Sequence, residues 1–303
     1  MGSRSTARTE RFAAAEGAPP PVSLLGRMRI GLRLAMMLAC TLVCVPLHCV
    51  WRLFRLPSPW PRWCLGICAR ICGARVKRVG TPVKRGAFHV SNHVSWIDIL
   101  AIAGASGSAF IAKAEIRDAP VIGWLATLNR TIFISRENRL HVADQIEQVR
   151  DAFADNWAVT VFPEGTTTDG VSLLPFKSPL LKVLETPPPG ILVQPILLVY
   201  DTQGRDLAWI GDESGKDNVI RVLASAGSFV MRVVFLDPFD PRGFSGRKAI
   251  AAEARRRIGD AFEARMGETM PDFIGHDWWA GRTDDPARHA QPSRRGEGCS
   301  APH

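Results

Sequence analysis

The chain has 303 residues, of which 46% are hydrophobic and 22% are charged, and its formal net charge is +9. This length allows one large domain or two small ones with a substantial apolar core. The cysteines number seven, an odd count, and six of them lie between residues 40 and 72, which argues against a disulfide scaffold.

The amino-terminal part of the chain is both basic and apolar. Residues 1–22 are polar and aperiodic, and we predict a disordered tail there. Between Glu16 and Asp98 the chain has twelve Lys and Arg residues and no acidic residue. Within that segment, residues 34–51 form an apolar run bracketed by arginines, near the lower length limit for crossing a bilayer.

A second apolar stretch, residues 60–73, follows a Pro-rich break, and tryptophans at both stretches suit the headgroup level of a membrane. We therefore predict a membrane-associated helical segment over residues 23–80, in contact with membrane lipids. Whether its helices span the bilayer or dip into it stays open.

Three other interpretations of this segment are weaker. A buried helix of a soluble domain remains open, but a secretory signal does not fit an apolar run that starts about 30 residues in without a cleavage site. Nucleic-acid binding does not call for a long apolar run between arginines, so we expect no nucleic-acid partner. Cys64, Cys68 and Cys72 share one helical face, yet no fourth ligand is near in sequence, and we expect no metal site.

Apolar β-branched runs alternate with helical patterns over residues 81–275, which predicts an α/β domain with a mainly parallel sheet flanked by helices. Several strands are apolar on successive residues, as strands buried on both faces are. The predicted strands are 87–92, 109–113, 131–136, 158–162, 191–200 and 228–236. The predicted helices are 95–105, 140–156, a stretch near 216–226, and 246–267. Residues 276–303 read as a second disordered tail.

The first candidate functional loop is "HVSNHVSWIDIL", residues 89–100. His93 and Asp98 are five positions apart, a spacing that would separate them on one continuous helix. If Ser95 is the N-cap of the following helix and Asp98 its N3 residue, His93 lies on the turn before it and its ring can fold back onto the carboxylate. An imidazole held in this way is a general base for a hydroxyl proton. The alternative is a capping box in which Asp98 serves only the helix end.

The second and third candidates also follow predicted strands. The loop "VFPEGTTTDG" places Glu164, Gly165 and Thr166 just beyond a buried strand, where a polyol could be held, although a polar surface turn fits nearly as well. Arg136 ends the strand "TIFISR", where either a solvated terminus or an anion clamp is expected.

The combination of "NHVSWID", "FISR", "FPEGTTTDG" and "VQPI" resembles the glycerolipid acyltransferase family, whose best-known members are 1-acylglycerol-3-phosphate O-acyltransferases. The resemblance covers about residues 85–240. It implies transfer of a fatty acyl group from acyl-CoA or acyl carrier protein to a lysolipid hydroxyl at the membrane. By position it implies that His93 is the general base and Asp98 its orienting carboxylate, that Arg136 binds the anionic head of the acceptor, and that Glu164, Gly165 and Thr166 hold the acceptor. It also implies an amino-terminal pair of membrane-associated helices.

Two departures from the family pattern bear on the acceptor. Many members that use lysophosphatidate have Arg where this chain has Thr167, although Arg136 and Lys177 remain as cations. Residues 169–181 and 208–227 look similar to members that act on other lysolipids, including lyso-ornithine lipid. We keep 1-acylglycerol-3-phosphate as the first expectation, giving phosphatidic acid in phospholipid biosynthesis, and lyso-ornithine lipid as the alternative.

The expected reaction needs no cofactor, because a thioester is already an activated acyl donor. A serine hydrolase is a weaker hypothesis, since "GASGS" (104–108) has Ser108 where a nucleophile elbow requires Gly. A non-catalytic membrane lipid-binding protein is the other alternative. The cysteine usage and the cationic segment favour the cytoplasmic face of a membrane with anionic lipids.

Overall fold

The structure is a computed structural model, and it describes residues 14, 16–17, 19–118, 120–134 and 158–266. The predicted helix 140–156, the predicted tail 276–303 and Arg136 lie outside these residues. Most of the predicted tail 1–22 lies outside them too. Ala14, however, is buried, and its carbonyl accepts a hydrogen bond from the Gly17 amide. This turn is therefore packed, because the small apolar side chain of Ala14 lies against the protein.

Two helices lead into the domain, as predicted. Helix α1 spans Leu24–Leu53 and helix α2 spans Trp60–Ile71, and the two pack against each other. The Ser23 hydroxyl caps α1 by accepting from the Gly26 amide at 3.1 Å. An 18-residue window of α1 has a mean hydropathy of 2.1 and is only 11% buried, so α1 is long and apolar enough to cross a membrane.

The first turns of α1 are fixed to the α/β domain. The Arg33 guanidinium is buried and donates to the carbonyls of Val222 at 2.8 Å and Leu223 at 3.0 Å, and Arg29 donates to that of Ala224. These carbonyls end a later helix, where a cation is favoured by the helix dipole.

The seven strands form one sheet in the order β1-β7-β6-β2-β5-β3-β4. Every neighbouring pair is parallel except β6 and β7. The α/β class with a mainly parallel sheet is therefore confirmed. The strands are β1 (Ala74–Val79), β2 (Ala87–Ser91), β3 (Ala109–Lys113), β4 (Ile132–Ile134), β5 (Val159–Val161), β6 (Leu192–Tyr200) and β7 (Phe229–Phe235).

Strand β1 was not predicted, and it lies inside the segment 23–80 that we assigned to the membrane-associated helices. Its cations Arg75, Lys77 and Arg78 are exposed, while Ala74 is buried. Charged side chains are common on an edge strand, because they discourage pairing with another chain. The α/β domain therefore begins at Ala74 rather than at residue 81.

The remaining helices flank the sheet. They are α3 (Ile97–Ser106), α4 (Pro120–Leu128), α5 (Thr202–Arg205), α6 (Gly215–Ala224) and α7 (Arg247–Met266), with 3₁₀ turns at Ala114–Asp118, Ser178–Glu185 and Pro241–Gly243. The predictions for α3, α6 and α7 are confirmed to within two residues.

The core lies on both faces of the central strands, as their sequences predict. All residues of β2 and β5 are buried. On one face, Ile250 and Ala254 of α7 pack against Val90 and Val193. Among the other helices, α3 packs closely against α2, where a Cβ atom added to Gly104 would come 2.6 Å from the Gly66 Cα atom.

Candidate active site

Strands β2, β5 and β6 are neighbours and run parallel, so their carboxyl ends meet at one edge of the sheet. Asn92 follows β2 directly and continues its pairing with β6. Its side-chain oxygen accepts from the Leu198 amide at 2.7 Å, and its side-chain amide donates to the Leu198 carbonyl at 3.2 Å. The backbone can therefore turn out of the sheet at His93 while β6 keeps its hydrogen bonds.

The imidazole of His93 and the carboxylate of Asp98 contact each other, as their spacing predicted. His93 Nδ1 lies 2.8 Å from Asp98 Oδ2, the histidine side chain is 17% exposed, and the aspartate is fully buried. No hydrogen bond to His93 Nε2 is found among the described residues, so that atom can receive a proton. The pair has the geometry of a general base with an orienting carboxylate.

Asp98 also serves the start of α3. Its Oδ2 atom accepts from the amides of Val94 at 2.7 Å and Ser95 at 3.0 Å. The helix begins at Ile97 with Trp96 as N-cap, so Asp98 is at N2, and the predicted N-cap at Ser95 is wrong. The Ser95 hydroxyl lies 3.5 Å from the Ile97 amide, too far for a strong cap.

Tyr200, at the carboxyl end of β6, completes the surroundings of Asp98. Its hydroxyl donates to Asp98 Oδ1, and the ring is buried. Burial and the neighbouring carboxylate raise the pKa of this phenol well above its usual value, which keeps it a hydrogen-bond donor. Sequence reasoning missed Tyr200, although it is the single tyrosine of the chain and ends a predicted strand.

The loop after β5 holds His93 from the other side. The Phe162 ring stacks on the imidazole with 4.0 Å between ring centroids. The His93 carbonyl accepts from the Thr168 amide at 2.8 Å and from the Thr168 hydroxyl at 3.1 Å. Gly165 adopts φ of 76°, a left-handed conformation that favours glycine and lets the loop turn back over the strand end.

Glu164 braces the two loops against each other. Its Oε1 atom accepts from the His93 amide at 2.9 Å and its Oε2 atom from the Leu174 amide at 3.2 Å. The side chain is 1% exposed, and burial raises the pKa of this carboxyl to about 8, although the two amide donors act in the opposite direction. Both oxygens thus face the backbone, and acceptor binding by Glu164 stays a prediction.

The next residues of the loop differ in their surroundings. Thr166 is exposed, and Lys177 is exposed as well. The Thr167 hydroxyl donates a hydrogen bond to the Trp209 carbonyl. The Trp209 amide donates to the Val94 carbonyl at 3.0 Å. The segment that contains Trp209 therefore contacts both the loop after β2 and the loop after β5.

An imidazole paired with a buried carboxylate is compatible with acyl transfer, and the comparisons with known proteins show that the chain is an acyltransferase. The family model described as Acyltransferase matches residues 75–199. The lyso-ornithine lipid O-acyltransferase of Rhodobacter capsulatus is 34% identical in a 260-residue alignment that covers 80% of this chain and 94% of that protein. The chain belongs to this family of acyltransferases that act on lysolipids.

Other relatives include both of the acceptor classes expected from the sequence. The lyso-ornithine lipid O-acyltransferase of Brucella abortus is 30% identical in a 270-residue alignment that covers 82% of this chain and 100% of that protein. The 1-acyl-sn-glycerol-3-phosphate acyltransferase of Neisseria gonorrhoeae is 36% identical, but over only 110 residues, which are 36% of this chain and 43% of that protein. The crystal structure of the 1-acyl-sn-glycerophosphate acyltransferase of Thermotoga maritima shares the fold, with a TM-score of 0.50 and 23% identity over 78% of this chain and 98% of that one.

Proposed function

We propose that this acyltransferase transfers a fatty acyl group from acyl-CoA or acyl carrier protein to the hydroxyl of lyso-ornithine lipid at the cytoplasmic face of a membrane. The observation that carries the proposed chemistry is the His93–Asp98 contact of 2.8 Å, which engages Nδ1 and leaves Nε2 without a hydrogen bond to any described residue. The full-length similarity to lyso-ornithine lipid acyltransferases supports the acceptor.

In the proposed reaction, His93 Nε2 removes the proton of the acceptor hydroxyl while that oxygen attacks the thioester carbonyl carbon. Asp98 stabilises the imidazolium that forms. The carbon–sulfur bond breaks, and the leaving thiolate takes the proton from Nε2, so the histidine returns to its starting state. A positioned general base of this kind contributes roughly 10²–10⁴-fold to the rate.

From the sequence, lysophosphatidate was our first expectation for the acceptor. The surroundings of Thr167 favour a different acceptor. The Thr167 hydroxyl is engaged by the Trp209 carbonyl, and a threonine supplies no positive charge for a phosphate dianion. An ornithine head group carries its own amine beside its carboxylate and needs fewer protein cations. The local similarity to the Neisseria protein keeps lysophosphatidate as the second candidate acceptor.

The test is a panel of lysolipids supplied to the purified protein with labelled acyl-CoA or acyl carrier protein, followed by identification of the product and the released thiol. We expect lyso-ornithine lipid to give the highest kcat/KM and His93→Ala to remove transfer while vesicle binding is kept. A preference for 1-acylglycerol-3-phosphate would overturn the acceptor. Thiol release that is unaffected in His93→Ala would overturn the base, and lipid binding without any thiol release would indicate a non-catalytic protein.

A further inference from the structure

Four cysteines from the two amino-terminal helices meet in one place. Cys40 and Cys44 are four residues apart on α1, and Cys64 and Cys68 are four residues apart on α2, so each pair lies on one face of its helix. Packing of α1 against α2 brings the two faces together. The sequence alone indicated only the three cysteines of α2 and its end, without a fourth ligand.

Two distances between these sulfur atoms match those of a thiolate metal site. The Cys40 Sγ atom lies 3.9 Å from that of Cys44 and 3.8 Å from that of Cys64. The Sγ atoms of Cys40, Cys64 and Cys68 all lie within 4.8 Å of one another. Zinc–sulfur bonds of about 2.3 Å in a tetrahedron place neighbouring sulfur atoms about 3.8 Å apart.

Cys44 is the fourth thiol beside this group of three, although its sulfur atom is not within 4.8 Å of all the others. Its thiol contacts that of Cys40 and interacts with that of Cys64. Cys44 and Cys68 are buried, while Cys40 and Cys64 are partly exposed. Cys72 is buried apart from the cluster, beside Arg33, and Cys49 is exposed.

We propose that Cys40, Cys44, Cys64 and Cys68 bind one thiophilic d¹⁰ cation, such as Zn²⁺, that fastens α1 to α2. Binding replaces four S–H bonds by four metal–sulfur bonds and releases four protons to solvent. The site then carries two net negative charges, in a segment that has twelve Lys and Arg residues and no acidic residue between Glu16 and Asp98. Thiolate ligands select soft cations of this class over Mg²⁺ or Ca²⁺.

The test begins with the reduced, chelator-treated full-length protein in detergent, to which Zn²⁺ or Co²⁺ is added. We expect one Zn²⁺ per chain by elemental analysis after removal of unbound metal. Co²⁺ should give the visible ligand-field bands of a tetrahedral site and thiolate-to-cobalt charge-transfer absorption. Absence of stoichiometric metal in the wild-type protein would overturn the proposal.

Variants locate the ion. The double variant Cys40→Ser/Cys64→Ser should lose the metal and the cobalt spectrum, whereas Cys49→Ser/Cys72→Ser, the same chemical change on the same two segments, should keep both. Metal that persists in the first variant, or disappears in the second, would contradict the assignment. A thiol titration of the unfolded protein completes the test. If no metal is bound and all seven thiols react, the cysteines only pack against one another. If no metal is bound and fewer thiols react, a disulfide has formed.

Discussion

Asp98 satisfies two demands with one carboxylate. Its four hydrogen-bond donors are the His93 ring, the amides of Val94 and Ser95, and the Tyr200 hydroxyl. The sequence left open whether this aspartate orients the imidazole or caps the helix. The structure combines both, because the turn before α3 presents its amides and the imidazole to the same oxygen. A carboxylate bonded in this way is held rigidly before any substrate binds.

Replacement of Asp98 by Asn separates the two roles. Asn keeps an oxygen for the backbone amides but cannot stabilise an imidazolium, so we expect kcat to fall by roughly 10²–10⁴-fold. The Ser95→Ala variant is the control, because its hydroxyl makes only a long contact at the helix start. Single-turnover rates measure the effect, and an Asp98→Asn protein as active as Ser95→Ala would assign Asp98 to capping alone.

The raised pKa of Glu164 makes stability depend on pH. The folded protein holds this proton up to about pH 8, whereas the unfolded chain releases it near the ordinary value of 4.5. Stability contributed by the protonated form is therefore present at low pH and lost as pH rises through that window. We expect the wild type to lose stability relative to Glu164→Gln between about pH 5 and pH 8 in thermal unfolding experiments.

The matched control for this titration is Glu253→Gln on α7. Hydrogen bonds from Arg256 and Arg257 lower the pKa of Glu253 to about 2, so its carboxyl stays ionised over the same range in both folded and unfolded chains. The stability difference between the wild type and Glu253→Gln should therefore be constant there. A Glu164 series as flat as this control would show that Glu164 is ionised in the folded protein.

At the scale of helices and strands, local patterns predicted what lies inside the sheet better than what lies at its edge. Strands β2 and β5 are continuous apolar runs because both of their faces are covered. Strand β1 was missed because its exposed cations resemble the flank of a membrane helix. The antiparallel pairing of β6 with β7 depends on the direction in which the chain between them leads β7 back into the sheet. The pattern of no single segment predicts this direction.

The residues that complete the site follow the same rule. His93 and Asp98 are close in sequence, so their contact could be inferred from the start of a helix. Tyr200 and Glu164 reach the pair from β6 and from the loop after β5, which are distant in sequence. Only the strand order places these side chains beside β2.

The crossing of α2 over α3 depends on two glycines. A methyl group at Gly104 would lie 2.6 Å from the Gly66 Cα atom, and that backbone cannot move without separating the helices. We expect Gly104→Ala to reduce stability by roughly 1–3 kcal/mol, measured as a lower thermal midpoint. Gly259→Ala on α7 is the control, because among the described residues no atom outside the backbone of its own helix turn lies within 4 Å of the added Cβ. That variant should be unchanged or slightly more stable, and equal effects of the two would place the tight crossing in doubt.

For the whole molecule, the exposed apolar surface of α1 indicates association with a membrane. The leucines at 38 and 42 are 60% and 64% exposed, and they are one turn apart. Arg33 attaches the beginning of the same helix to the carboxyl end of α6. One side of α1 therefore faces the lipid, and another side is attached to the α/β domain. The hydropathy of the sequence could not distinguish these two sides.

Two lysines on that surface should release the protein from lipid. Each leucine buried in an apolar phase contributes roughly 1.5–3 kcal/mol, so Leu38→Lys/Leu42→Lys should weaken vesicle binding by about a hundredfold or more. Sedimentation with phosphatidylcholine vesicles measures this without a contribution from anionic lipid. The control is Ala252→Lys, which adds charge on an exposed position of α7. Equal binding by all three proteins would show that α1 is not the lipid-contacting surface.

Asn92 carries no part of the proposed chemistry, yet its side chain is a carboxamide, the same group as the peptide unit that it replaces beside Leu198. Aspartate would lack the donor, glutamine would be one carbon too long, and alanine would leave two main-chain atoms of β6 without partners. This position is therefore constrained by the need to imitate backbone. A laboratory search for variants that use new acceptors should therefore keep Asn92 unchanged.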